Sequence, residues 1–291
     1  MAMFSLFKKN ALKTIDKPAI EEEIKSFQTK GTGNDNELIV SLTSFPERMY
    51  ELHYTLYSLL TQSAKPKQVI LWLAREQFPN LEKDIPARVL ELQKNGLTIK
   101  WTHNIYSYKK LIPTLQEYPN SVIVTADDDI FYDKDWLKIL LDTHKKFQNC
   151  IVCHRGHIAK LSKNGLAPYK KWKKKATCKV PSFFNLSTGA GGVLYPPNSL
   201  YKDVLDENLF TQLASKGDDL WFWAMATLQH TPTMIVKNGI KDLTYVNPER
   251  ERGLTDETTL FSTNKQGGND RQLTSILNHY PQILDILKAN K

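Results

Sequence analysis

Between Glu37 and Ala126 short apolar runs take turns with amphipathic segments, and this alternation constrains the fold more than any other feature of the chain. LIVSL (Leu38 to Leu42) leads through a turn at Pro46 into RMYELHYTLYSLLTQ, and VILWLA (Val69 to Ala74) precedes ARVLELQKNG, which Gly96 closes. LTIKWT then precedes KKLIPTLQEYP, and SVIVTA follows. Such short apolar runs read as buried strands and the segments between them as helices. Strands alternating with helices imply a mostly parallel sheet covered on both faces, because a parallel connection needs a crossover long enough to hold a helix. Ligands of such sheets collect at the carboxyl ends of the strands, so the residues just past each strand are the ones to inspect.

The rest of the chain extends the same unit. The 291 residues, 41% hydrophobic and 24% charged, supply a full core and exclude disordered, collagen-like and coiled-coil classes. After Asp135 come a helix (WLKILLDTHKKFQ), an IVCH strand, a lysine-rich loop, the Gly-rich SFFNLSTGAGGVLYPP, a helix from Asp218 to Leu228 and a final helix from about Arg271 to Ala289. Residues 1–36 read as a leader ending in the linker TKGTGNDN. Within it Met3, Phe4, Leu6 and Phe7 with Lys8, Lys9 and Lys13 make either a short amphipathic helix on lipid or a frayed terminus. With no apolar run of about 18 residues and no signal-peptide pattern, a cytoplasmic protein is expected. CIVCH (Cys150 to His154) matches a haem-attachment spacing, and His157 adds a zinc-like cluster. Strand alternation would nevertheless turn Cys150 and Cys153 to opposite faces, so buried free thiols are expected. The formal charge of +8 points to nucleic acid, an anionic membrane surface or a phosphorylated substrate, and five of its positive charges lie in KKWKKK, Lys170 to Lys175.

The sharpest chemical signal is SVIVTADDDIFYDKDW, a buried strand running into Asp127, Asp128 and Asp129. If the extended backbone persists, Asp127 and Asp129 share one side and Asp128 faces the other. A carboxylate pair suits Mg2+ or Mn2+, which takes oxygen ligands and leaves positions for water and phosphates. The bland alternative is an acidic turn, or a cap for the helix at Trp136.

Five blocks in order, SLTSFPER, YKKLIPTL, IVTADDDIFYDKDW, STGAGGVLYPP and GDDLWFWAM, resemble the nucleotide-diphospho-sugar glycosyltransferases of the GT-A fold. Within them the chain is most similar to bacterial enzymes of surface polysaccharide synthesis, of capsule or lipopolysaccharide type. The resemblance spans about Glu37 to Asn278 and implies an α/β, Rossmann-like, mostly parallel sheet flanked by helices in one catalytic domain. That domain, 37–291, would have a nucleotide-binding half, 37–135, and an acceptor half, 136–291. The resemblance implies a nucleotide-sugar donor, with UDP first, and a saccharide or lipid-linked glycan acceptor, with no nucleic acid. Thr43, Ser44, Phe45 and Arg48 would surround the donor's base and ribose, and Lys109 or Lys110 would meet its phosphates. Asp127 and Asp129 would hold Mn2+ or Mg2+, Asp270 would complete the metal shell, Asp128 would hold ribose or sugar, and Gly189, Gly191 and Gly192 would let backbone amides approach the sugar or acceptor. Asp219 would be the general base of an inverting transfer, with Asp218 binding acceptor. A retaining route, a nucleotidyl or phosphoryl transferase, and a basic RNA- or membrane-binding module stay open as alternatives. The lysine run would dock a phosphorylated or membrane-linked acceptor.

Overall fold

The computed structural model describes residues 12–28, 38–163, 165–240, 242–253 and 267–291. Its strands are β1 (Leu38–Thr43), β2 (Gln68–Ala74), β3 (Leu97–Thr102), β4 (Val122–Thr125), β5 (Ile151–Cys153), β6 (Gly156–Ile158), β7 (Leu161–Ser162), β8 (Gly165–Leu166), β9 (Asn185–Ser187), β10 (Val193–Tyr195) and β11 (Thr233–Ile235). Seven of them form one sheet in the order β11-β5-β10-β4-β1-β2-β3, while β6 pairs with β9 and β7 with β8 in two ribbons. Every pairing in the large sheet is parallel except those of β10, which runs antiparallel to both β4 and β5. This is the mostly parallel, helix-flanked α/β sheet that the sequence implies, and it is consistent with a GT-A-like fold.

Side-chain alternation sorts the strands between two cores. In β1, Leu38, Val40 and Leu42 pack with the helix Met49–Leu60, while Ile39 faces the other side with Ile70 and Trp72. At β5 and the residue before it, Ile151 and Cys153 enter one core and Cys150 and Val152 the opposite one, so the two thiols lie buried, free and apart. Burial raises the pKa of both. The helix Asp218–Leu228 is apolar nearly all round, with Trp221 and Trp223 both buried, and it is clamped inside the first core.

Three segments depart from the sequence reading. ARVLELQKNG folds as a short turn of α-helix, Ala87–Leu90, continued by a 3-10 turn, Glu91–Asn95, which Gly96 does close with φ 105°. The final helix is two helices, Asn269–His279 and Gln282–Ala289. Pro281 separates them because it lacks an N–H and disfavours helical backbone in the residue before it. Part of the expected leader is packed: the helix Lys17–Lys25 starts at an Asp16 cap and lies on the helix Met49–Leu60. There Glu21 accepts from Tyr54 Oη (2.6 Å) and Arg88, Glu23 accepts from Tyr57 Oη (2.8 Å), and Lys17 pairs with Glu51 (2.6 Å). The boundary at 36/37 and the Met3 to Lys9 stretch lie outside the described residues.

Residues 244–246 lie between the turn that follows β4 and the segment that precedes the helix Lys17–Lys25. Tyr245 bridges Ile130 on one side and Thr14 on the other, Val246 N–H donates to the Asp129 carbonyl (3.0 Å), and Phe131 N–H donates to the Thr244 carbonyl (2.8 Å). Among the described residues no helix is long and apolar enough to cross a membrane.

Candidate active site

The antiparallel β10 creates the site. Val193 is in register with Thr125, so the glycine segment that enters β10 lies beside Asp127, which leaves β4. The helix Asp218–Leu228 begins at the same place and carries Asp218 and Asp219 in its first turn, where free N–H groups favour carboxylates. The Gly189 N–H donates to Asp219 Oδ1 (3.1 Å). Lys110, buried at the end of the turn Tyr106–Lys110, places Nζ 3.1 Å from Asp127 Oδ1 and 3.1 Å from Asp218 Oδ2. A Cβ on Gly189 would sit 2.7 Å from Lys110 Nζ, 3.3 Å from Asp219 Oδ1 and 3.7 Å from Asp127 Oδ1. Gly189 therefore occupies the point where strand end, lysine and helix start converge.

The charges perturb one another strongly. Burial alone would lower the pKa of Lys110, but Asp127, Asp218 and Asp219 hold it well above its ordinary value. Burial and the Asp218 charge push Asp219 up to about 7, against the opposing pull of Lys110 and of the Gly189 N–H. Asp219 is thus a carboxyl poised to take a proton near neutral pH, which is the property a general base needs.

A second group of charges adjoins the first. Arg48 Nη1 donates to Asp128 Oδ1 (2.5 Å) and Asp129 Oδ2 (2.7 Å), and Ser44 Oγ donates to Asp128 Oδ2 (2.6 Å). The expected alternation fails here because β4 ends at Thr125 and Asp128 and Asp129 lie in a turn, so both reach one guanidinium while Asp127 goes to Lys110. Burial opposes the charge of Arg48, yet the two carboxylates hold its pKa above the usual value. Its Nε is buried without a partner. Arg48→Met should cost about 3 kcal/mol in urea unfolding, because Asp128 would remain buried without its countercharge. Arg48→Lys should recover part of that loss.

The other expected residues are placed as follows. Thr43 Oγ1 donates to the Trp72 carbonyl (2.8 Å), and the Phe45 ring, 37% exposed, lies 5.2 Å from the Arg48 guanidinium. Lys109 is buried and donates to Gln77 Oε1 (3.2 Å) and Asn104 Oδ1 (2.9 Å); burial pushes its pKa down to about 8. Gly191 packs on the Arg155 side chain and Gly192 on the Trp136 indole, so of the glycines in this segment it is Gly189 that enters the charge cluster. Asp270 Oδ1 accepts the Tyr169 N–H (2.7 Å), a contact that ties the first turn of the helix Asn269–His279 to the start of the lysine run. His154 is core, with Nε2 2.9 Å from the Trp136 carbonyl and a pKa pushed down to about 4 by burial.

Sequence reasoning missed several supporting residues. Tyr132 Oη accepts the Asp127 N–H (2.8 Å), Thr55 Oγ1 donates to the Asp128 carbonyl (3.0 Å), and Gln77 and Asn104 hold Lys109. Tyr132 stands five residues beyond Asp127 in the same motif and was within reach of a local reading; the others join through the fold. Pro46, Met49, Tyr50, Gln77, Phe78, Pro79, Asp84 and Pro86 line a cavity of about 350 Å³ that adjoins the turn Pro46–Arg48.

The donor chemistry of the site fits a hard divalent cation. Asp127, Asp128, Asp129, Asp218 and Asp219 share two close cations, Arg48 and Lys110, and a Mg2+-type ion needs one or two carboxylates with substrate phosphates and water. Among the described residues no three His, Cys, Asp or Glu side chains form a ready-made cage. Among the described residues Asp270 is engaged with the Tyr169 N–H and not with Asp127 or Asp129.

No protein-family model matches the sequence, and no curated protein is similar to it. Among solved structures the chain is similar to residues 1–349 of TarS from S. aureus, with 17% identity over 87% of this chain and 70% of that one and a TM-score of 0.49.

Proposed function

We propose that the protein is a glycosyltransferase that moves a sugar from a nucleotide diphosphate, a UDP-sugar first among the candidates, to a hydroxyl of a glycan acceptor in bacterial surface glycan synthesis. One observation carries this reading: Asp219, oriented by the Gly189 N–H, faces Asp127 and Lys110 across the single glycine that separates them. A base and a phosphate-handling pair thus lie on two sides of one small space at the carboxyl end of β4, as a displacement at a sugar carbon requires.

The residues divide the work. Arg48 and Lys110 supply cationic hydrogen-bond donors for the diphosphate, and the cavity beside Pro46 and Phe78 offers apolar walls to the flat base. Asp127 and Asp129 would hold Mn2+ or Mg2+, which when bound would neutralise the departing nucleoside diphosphate. Asp219 Oδ1 keeps the Gly189 N–H while Oδ2 takes the acceptor proton, and Asp218 orients the acceptor. The transfer is a single displacement that inverts the sugar carbon, and it takes place in the cytoplasm.

The test is incubation with Mn2+ and a panel of nucleotide sugars, following nucleotide release and thermal stabilisation. A UDP-sugar should be hydrolysed slowly, UDP with Mn2+ should raise the melting temperature, and Asp127→Asn should remove both responses. No metal-dependent response to any nucleotide sugar would overturn the reading.

A further inference from the structure

From Thr143 to Lys202 the chain carries eleven Lys, one Arg and no Asp or Glu. Sixty residues therefore hold +12, and the other 231 together carry −4. Lys160, Lys163, Lys170, Lys171, Lys173, Lys174, Lys175 and Lys179 in this stretch are all exposed. The fold gathers them beside the site. Lys173 bridges Ile158 in β6, β6 pairs with β9, and β9 leads within two residues to Gly189 and the Asp219 carboxyl. The run is thus two strand spacings of about 4.8 Å from β9, the strand that leads to Gly189 and its hydrogen bond to Asp219. Tyr169, which opens the run, is near enough to Asp219 for that charge to raise its phenol pKa further above the value set by burial.

Resting on the transferase reading above, we propose that this lysine surface receives an acceptor glycan that carries phosphate diesters along its chain. Two features favour this occupant over a bilayer or a polynucleotide. Trp172, the one aromatic inside the run, is buried, donates from Nε1 to the Ala167 carbonyl (2.8 Å) and packs on Trp223, so it neither inserts into lipid nor stacks on a base. Among the described residues, Val180 is the one exposed large hydrophobic between Lys160 and Lys179 or next to them in the chain. The near absence of Arg also matters: ammonium groups act as point charges and suit a train of phosphates, whereas planar carboxylates call for the guanidinium fork.

The experiment measures binding of the full chain to poly(glycerol phosphate), polygalacturonate and 3:1 POPC:POPG vesicles, alongside the thermal response to UDP and Mn2+. Poly(glycerol phosphate) should bind most tightly and weaken roughly tenfold or more between 50 and 200 mM NaCl. Changing Lys170, Lys171, Lys173, Lys174 and Lys175 together to Gln should weaken it at least tenfold with the UDP–Mn2+ response unchanged, whereas Lys83→Gln with Lys94→Gln should leave it intact. Equal binding by the five-lysine variant overturns the proposal, as does tighter binding of the vesicles or the polyuronate. Lysine-dependent polymer binding without any nucleotide response would support the surface while removing the transferase reading.

Discussion

Asp219→Asn is expected to abolish transfer while making the folded chain more stable at pH 7. Loss of a positioned general base costs about 10²- to 10⁴-fold in rate. The amide oxygen keeps the Gly189 N–H bond, so nucleotide binding should persist. The stability gain follows from the raised pKa of about 7. A carboxyl whose folded pKa is raised favours folding fully below its unfolded pKa near 4, and this contribution is lost as the pH rises through about 7. At neutral pH the wild-type chain has lost most of it, and the variant, with no charge to bury, should gain on the order of 2 kcal/mol. Thermal unfolding from pH 5 to 8 should show a small gap at the acid end that widens with pH. In the same range the wild-type kcat/KM should climb through about pH 7 to a plateau. An active variant, or one less stable at pH 8, would remove Asp219 from this role.

Gly192→Ala is expected to be the most damaging of the glycine substitutions. Gly192 has φ 89° and ψ 140°, a region open to glycine and strained for other residues. The added Cβ would collide with the Trp136 ring at Cζ2, and that indole is buried and fixed by its hydrogen bond to the Gly191 carbonyl. Backbone strain and overpacking together should cost about 4 kcal/mol, read from urea unfolding. Gly189→Ala, in contrast, meets the flexible end of Lys110 without backbone strain, so its unfolding midpoint should shift little while transfer falls. Equal losses of stability in both variants would contradict this division between a packing glycine and a site glycine.

The parallel half of the fold was legible because each strand announces itself locally as an apolar run with a helix behind it. The antiparallel β10 was not, since three residues between a glycine segment and two prolines carry too little pattern to fix a direction. The site was legible as chemistry and less so as geometry. DDD was readable as a cluster of hard oxygen donors, but its division between Lys110 and Arg48 depends on where β4 stops and on a partner 80 residues upstream. Asp219 was readable as a carboxylate at a helix start and Gly189 as a glycine open to close backbone approach, but the hydrogen bond between them depends on the antiparallel strand that Gly189 precedes. The packed residues 12–28 were unreadable because side-chain hydrogen bonds to the helix Met49–Leu60 hold them, as with Glu21 on Tyr54 and Glu23 on Tyr57, and no long apolar stripe marks such an attachment.

The Tyr245 bridge has a consequence for how the chain matures. The backbone behind Asp129 and Ile130 is completed by residues 244–246, and Thr14 waits for the same segment. At ordinary rates of synthesis these residues emerge on the order of ten seconds after Asp129. Until then the carboxylate turn lacks its backing, so a nascent or truncated chain ending before residue 244 would present the strands of the sheet with the turn after β4 unsupported.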